Sequence, residues 1–360
     1  MARSLFVGVS GVARKVRNGY VGIDSVARKI KKAYIGIGGV ARPCWSMENV
    51  VRYGTATPLS QARAYPAGAG SGTHAIFAGG YAGGMSAVVD AYDASLSRTI
   101  PTQLVVGRNV MGAASFNGYT LFAGGDSISP RKNVDVYTPT LTRGSAENLF
   151  WEVAYCAGTK VGVGVMFTGG VGSSYAQSTS NFYDDSLTRA TSSALKNSKF
   201  AHAASSIGTM GFYGGGQNST KQLATVDAYT AETTKSYPKD LKSARSNLAA
   251  ATAGNKYVVF AGGNGSADVD AYDEELTQYA PMSLSVGRSE LAGTTLGNFA
   301  IFGGGTTTNA VESYDDSLSR SFITGLSAAR GALAGASVGN FALFAGGAGL
   351  SSAVDVYTIT

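Results

Sequence analysis

After residue 70 the chain alternates between short apolar runs and polar, glycine-rich segments. Runs such as Tyr257-Val-Val-Phe260 and Phe299-Ala-Ile-Phe302 are apolar at every position. They are too short for core helices and are bounded by turn residues, so they read as strands covered on both sheet faces. A small-residue stretch precedes such runs, as in Met111-Gly-Ala-Ala-Ser115 and Ala332-Leu-Ala-Gly-Ala-Ser337. Between the two lie Asn117-Gly118, Gly254-Asn255, Gly297-Asn298 or Gly339-Asn340, pairs that supply the positive φ a tight hairpin needs. A double glycine ends the apolar strand, where a side chain would obstruct the turn or the neighbouring sheet. A third strand carries Val-Asp-x-Tyr, and a weaker fourth follows a Ser/Thr-Leu-Ser/Thr-Arg stretch. The unit is therefore four short strands.

The unit repeats. Aromatic-x-Gly-Gly occurs as Phe77-Ala-Gly-Gly80, Phe122-Ala-Gly-Gly125, Phe167-Thr-Gly-Gly170, Phe212-Tyr-Gly-Gly215, Phe260-Ala-Gly-Gly263, Phe302-Gly-Gly-Gly305 and Phe344-Ala-Gly-Gly347, with spacings of 45, 45, 45, 48, 42 and 42 residues. In phase with it runs a second block that begins at Val89, Val134, Ser180, Val226, Val269, Val311 and Val354 and ends on Tyr92, Tyr137, Tyr183, Tyr229, Tyr272, Tyr314 and Tyr357. A period of ~40–50 residues is that of a propeller blade. The paired glycines and the downstream tyrosine resemble kelch repeats over roughly residues 47–360, and this resemblance implies an all-β, seven-bladed β-propeller. The tryptophan that kelch repeats carry six residues after that tyrosine is absent. Arg98, Arg143, Arg189, Lys235, Gln278 and Arg320 stand there instead, which predicts a charged blade edge. The last copy reaches Thr360 only three residues past Tyr357, with no length for a fourth strand. Residues 50–63 precede the first copy without a double glycine of their own. They are expected to supply the missing outer strand and close the ring, leaving no free edge.

Residues 1–46 carry a different repeat, of 14 residues. Val7-Gly-Val-Ser-Gly-Val-Ala-Arg-Lys-Val-Arg-Asn-Gly-Tyr20 is followed by a second copy from Val21 to Tyr34 and a truncated one from Ile35 to Arg42. Each copy offers two strand-like pieces with turn chemistry between them, so hairpins are expected. So few residues bury little by themselves, which implies a partner surface. The pattern resembles short basic modules at the N-termini of tail and other virion-associated proteins of bacteriophages and prophages.

Charge sharpens this division. The chain has formal net charge +6, yet residues 1–46 hold nine Lys/Arg against Asp24 alone, and residues 47–360 hold 20 basic against 22 acidic residues. Two domains with different tasks follow, a 1–46 attachment module and a 47–360 propeller. Arg14, Lys15, Arg28, Lys29, Lys31 and Lys32, with Tyr20 and Tyr34, are the candidate docking residues. Their regular spacing fits a defined protein surface better than a phosphate-tracking tail. No apolar run reaches the ~18 residues of a spanning helix, and no signal-peptide core is seen.

Candidate chemistry is sparse. His74 and His202 occupy non-equivalent places in their blades, and Cys44 and Cys156 lack metal-ligand or CxxC spacing. No GxSxG accompanies either histidine. The acid of the third strand (Asp90, Asp135, Asp227, Asp270, Glu312, Asp355) is expected to bond a neighbouring strand or turn rather than a cation or sugar, and Asp184-Asp185 and Asp315-Asp316 to shape turns. No catalytic residue, metal or cofactor is expected. The loops after the double glycines vary while the strands repeat, which makes their face the binding candidate, through Tyr81, Asp126, Tyr175, Gln217, Asn218, Asn264 and Asn309. Amide, hydroxyl and tyrosine groups suit glycans. The sequence thus predicts a non-enzymatic virion protein: a tail-fibre, baseplate or head-fibre component made in the host cytoplasm. It would dock through residues 1–46 and present the propeller to a host-surface glycan or protein. A carbohydrate-active depolymerase and an intracellular kelch scaffold are the alternatives.

Overall fold

The computed structural model describes residues 48–230 and 234–360 with their side chains, and the backbone of six strands between residues 6 and 46. Contacts divide the chain into Met1–Asn49 with Thr360, and Val50–Ile359. The sequence places the boundary between residues 46 and 47.

Val50–Ile359 is a seven-bladed β-propeller of four-stranded antiparallel sheets. Blade 2 shows the plan: Gly112–Phe116 innermost, then Tyr119–Ala123, Val134–Tyr137 and Arg143–Ser145. The innermost strands pack side by side around the ring, including Ala67–Gly70 of blade 1 against Ala334–Val338 of blade 7. The hydrophobic core lies between blades. Leu121 and Val136 of blade 2, for example, share a buried cluster with Val165, Phe167 and Tyr183 of blade 3. Within every blade the strand-2 aromatic meets the strand-3 tyrosine edge to face, from Phe77–Tyr92 at 6.1 Å to Phe344–Tyr357 at 5.7 Å. Such pairs contribute about 0.5–1.5 kcal/mol each beyond the area they bury. Among the described residues no helix is long and apolar enough to cross a membrane.

Blade 4 departs from the register expected of it. Gly215 and Gly216, not Gly214 and Gly215, hold the positive φ of the paired glycines (70° and 95°). Tyr213 pairs with Asp227 as Phe122 does with Asp135. The aromatic of this blade is therefore Tyr213, one residue beyond Phe212, which packs into a separate inter-blade cluster.

The expected closure is present: Val50–Thr55 lies antiparallel to Val354–Ile359 as the outer strand of blade 7. Arg52 stands opposite Tyr357, as Arg98 stands opposite Tyr92 and Arg143 opposite Tyr137. The edge residues do different work from tryptophan. Arg98, Lys235 and Arg320 donate to the carbonyls of Pro58, Ala194 and Ser283, each tying a connecting segment to the blade rim.

The third-strand acids are structural. Asp90, Asp135, Asp227, Asp270, Glu312 and Asp355 each pair with a buried cation of their own blade (Arg63, Arg108, Lys199, Arg245, Arg288, Arg330) at 2.6–3.0 Å. Their second oxygen accepts a backbone N–H from the segment entering the blade, such as Val105 or Lys242. Blade 3 lacks both charges, having Val153 and Asn181 in these places, and Asn181 Oδ1 still accepts the Phe150 amide. Asp184 and Asp315 cap the amides of their own turns.

In the N-terminal unit, Phe6–Val9 pairs with Val12–Lys15, Gly19–Ile23 with Val26–Ile30, and Lys32–Ile37 with Val40–Ser46. The turn-flanking pairs Val9↔Val12, Ile23↔Val26 and Ile37↔Val40 recur every 14 residues, so the sequence repeat is one hairpin. The side chains of Arg14, Lys15, Tyr20, Arg28, Lys29, Lys32 and Tyr34, and Lys31 altogether, lie outside the described residues.

Candidate functional site

One residue per blade frames the mouth of the axial channel: Tyr65, Val110, Tyr155, Ala201, Asn247, Glu290 and Ala332. All seven are left-handed, with φ between 47° and 57°. Their backbones form a belt in which the N–H of every one but Val110 donates to the carbonyl of its counterpart in the preceding blade. Six such bonds are made at 2.8–3.1 Å, from Tyr155 to Val110 round to Tyr65 on Ala332. An αL conformation costs a non-glycine residue on the order of 1–2 kcal/mol, and the belt offsets it by satisfying amides that the bend would otherwise leave exposed. The belt fixes the Cα positions, so side chains at the mouth project from a rigid rim.

Those side chains enclose a cavity of about 260 Å³. Tyr65 Oη donates to Glu290 Oε1 at 3.0 Å. Burial, then the charge of Glu290, pushes the Tyr65 phenol up to about 12, and the same two causes raise Tyr155. Both are neutral phenols at physiological pH. The layer beneath is Pro66, Met111, Cys156, His202, Leu248, Leu291 and Leu333. Burial pushes the Cys156 thiol up to about 11, which makes it unreactive. His202 is buried with Nε2 2.9 Å from Thr168 Oγ1. Burial and then Lys199 hold its imidazole well below the ordinary value, so it is neutral. Further down the channel is walled by Gly68, Ala113, Gly158, Ala250, Gly293 and Gly335. A Cβ on Gly293 would lie 2.6 Å from the Ala250 carbonyl of the adjacent blade, so the inner strands approach closely there. The far end is lined by hydroxyls, among them Ser115, Ser206, Thr295 and Ser337, together with Lys160.

The loops after the double glycines rise on the same face as this mouth. In six of the seven blades the residue after the pair bonds the segment just before the belt, as in Tyr81 with Ala64, Asp126 with Asn109 and Gln217 with Phe200. Tyr175 is 70% exposed and Tyr81 40%. Asn264 and Asn309 are exposed, although Asn309 Nδ2 donates to the Leu326 carbonyl. Asp126 is buried and caps the amides of Ile128 and Ser129, Asn218 caps Thr220 and Lys221, and Gln217 accepts from Ser246, so these three shape their loops. The sequence reading missed the mouth residues. A signal for them exists, because each lies two positions after its blade's buried cation, or after Val153 in blade 3. Among the described residues no three of His, Cys, Asp and Glu gather as a metal site.

No protein-family model matches the chain, and no curated protein sequence matches it. Among solved structures the chain is similar to YjhT, with a TM-score of 0.59 and 13% identity over 74% of this chain and 99% of that one. The likeness is one of β-propeller fold.

Proposed function

We propose that this is a non-catalytic binding protein whose kelch-like propeller presents its double-glycine loop face to a glycan. We further propose that it works as a bacteriophage or prophage virion component attached through the hairpin repeats of residues 1–46. The observation that carries the binding reading is the rigid mouth. Variable loops and two tyrosines surround a concave, water-accessible site on a scaffold held by seven repeated blades. The non-catalytic reading is supported by the inventory of groups at the mouth: one carboxylate, a buried protonated thiol and a neutral histidine bonded to a threonine hydroxyl. The attachment reading is supported by hairpins in 14-residue register, since an isolated two-stranded hairpin is marginal in water and gains order from a partner.

Immunogold labelling of purified particles with antibody against residues 47–360 tests the assignment. Gold at the tail tip or on the capsid is expected. Protein confined to the soluble lysate, or release of sugar from host envelope by the purified chain, would overturn it.

A further inference from the structure

We propose that the axial mouth binds an ammonium-bearing ligand, with Glu290 as counter-ion and the Tyr65 and Tyr155 rings as aromatic walls. This rests on the glycan-binding reading of the same face, under which the ligand is an amino sugar.

Charge is the first argument. Among the described residues lining the mouth, Glu290 is the one formally charged side chain, and it makes no ion pair. This sets it apart from the six buried acids of the blades, each of which has its own arginine or lysine. His202, the one basic residue in the lining, is held neutral by burial. The cavity therefore carries an uncompensated negative charge above an apolar floor of Leu248, Leu291 and Leu333. An anionic or neutral sugar would leave that charge unanswered, whereas an ammonium group would satisfy it with a charge-assisted hydrogen bond.

Geometry is the second. Glu290 Oε1 is braced by the Tyr65 hydroxyl at 3.0 Å, while Oε2 takes no hydrogen bond among the described residues. One oxygen is thus fixed and the other free. Tyr65 touches the carboxylate through that hydrogen bond, and Tyr155 lines the same mouth. Aromatic faces beside a carboxylate favour cations over neutral groups of equal size. The backbone belt pre-organises all three residues, so little ordering cost falls on binding. A volume of about 260 Å³ suits one sugar ring rather than a chain.

The test titrates the full chain with glucosamine, N-acetylglucosamine and glucose, three sugars that differ at one substituent. Glucosamine is expected to bind about tenfold more tightly than the other two, the worth of a single charge-assisted contact. Glu290→Gln keeps an acceptor for Tyr65 and the side-chain shape, and it is expected to abolish that preference with an unchanged melting temperature. Tyr155→Leu is expected to weaken glucosamine several-fold. Equal binding of all three sugars, insensitive to Glu290→Gln, would overturn the ammonium assignment and leave the glycan reading intact. Tight binding of host glycan with no glucosamine titration would also overturn it, because the glycan would then sit elsewhere on the face. A preference for glucosamine together with unlabelled particles would uphold the site and sink the virion reading.

Discussion

The Arg52 guanidinium lies 2.6 Å from one oxygen of Asp355, 303 residues away in sequence, and Arg330 holds the other oxygen at 2.8 Å. Arg52 is thus to blade 7 what Arg143 is to blade 2, an outer-strand cation on the third-strand acid. The closing strand restores the blade's polar network as well as its fourth row of backbone bonds.

The two partners are not equal. Asp355→Asn leaves Arg330 buried without a counter-charge and is expected to cost about 3–5 kcal/mol, whereas Arg52→Gln leaves the inner pair intact and is expected to cost about 1–2 kcal/mol. Urea unfolding of the two variants measures the ranking, and equal losses would refute it. Burial alone would raise the Asp355 carboxyl, but hydrogen bonds from Arg52 and Arg330 outweigh it and hold it below the ordinary value. The folded chain therefore keeps this carboxylate ionised at pH values where the unfolded chain, with a value of about 3.9, takes up a proton. That stability is present above pH ~4 and lost as pH falls through the folded value. Arg52→Gln is expected to move acid unfolding to higher pH.

Blade 3 supplies an internal double-mutant cycle. Val153 and Asn181 replace both members of the buried pair, while Gly170 keeps the place that Gly80, Gly305 and Gly347 occupy beside the stems of Arg63, Arg288 and Arg330. The glycine that lies against the arginine stem elsewhere is thus retained although the arginine is absent, and Val153 packs against it. Val153→Arg or Asn181→Asp alone buries one charge and is expected to destabilise by about 3–5 kcal/mol. Together they are expected to recover at least about 2 kcal/mol of the summed loss, read as a coupling free energy from denaturant midpoints. Additive losses would show that blade 3 has repacked beyond accepting the pair.

These examples mark what was legible in the sequence. Blade count, strand order, the closing strand and the structural role of the acids follow from residue period and type. The blade 4 register was not readable, because Phe212-Tyr213 followed by three glycines admits two alignments, and only the pairing of Tyr213 with Asp227 chooses between them. The belt was hidden for another reason. Its residues are Tyr, Val, Ala, Asn and Glu, and of these only Asn favours the left-handed region. Nothing in their chemistry marks the bend, which is imposed by hydrogen bonds to the neighbouring blade.

The paired glycines differ sharply from those of the loops they open. Gly80 has φ 112°, and a Cβ there would lie 2.7 Å from the Ala64 carbonyl. Gly84, four residues on, has no positive φ and no atom within 4 Å of a built Cβ. Gly80→Ala is expected to cost about 2–4 kcal/mol, through strain added to a steric clash. Gly84→Ala is expected to be neutral or to stabilise by up to about 1 kcal/mol, by restricting the unfolded chain. Thermal melts of the pair distinguish a blade-defining glycine from a loop glycine, and similar losses would contradict the assignment.

His202 is expected to make the stability of the propeller depend on pH, since no other blade has a histidine in its place. Leu248, Leu291 and Leu333 stand at the equivalent place in blades 5, 6 and 7, and the residues they face at the Thr168 position are Gly214, Ala261 and Gly303. Histidine and threonine have therefore been exchanged together, joined by the 2.9 Å hydrogen bond, while His202 Nδ1 is buried without a partner. Burial, reinforced by Lys199, keeps the folded imidazole neutral well below the ordinary value. The unfolded chain binds a proton there at about pH 6.5 and the folded chain does not, so the native state loses stability as pH falls below that point. The double variant His202→Leu/Thr168→Ala copies the Leu291–Ala261 pair and removes the titrating group. It is expected to match the wild type within about 1 kcal/mol at pH 7 and to stay flat between pH 6.5 and 5, where the wild type declines. His202→Leu alone strands the Thr168 hydroxyl and is expected to cost about 1 kcal/mol more than the double variant. Unfolding free energies across that pH window decide the matter: parallel curves for wild type and double variant would show that His202 is not the group responsible.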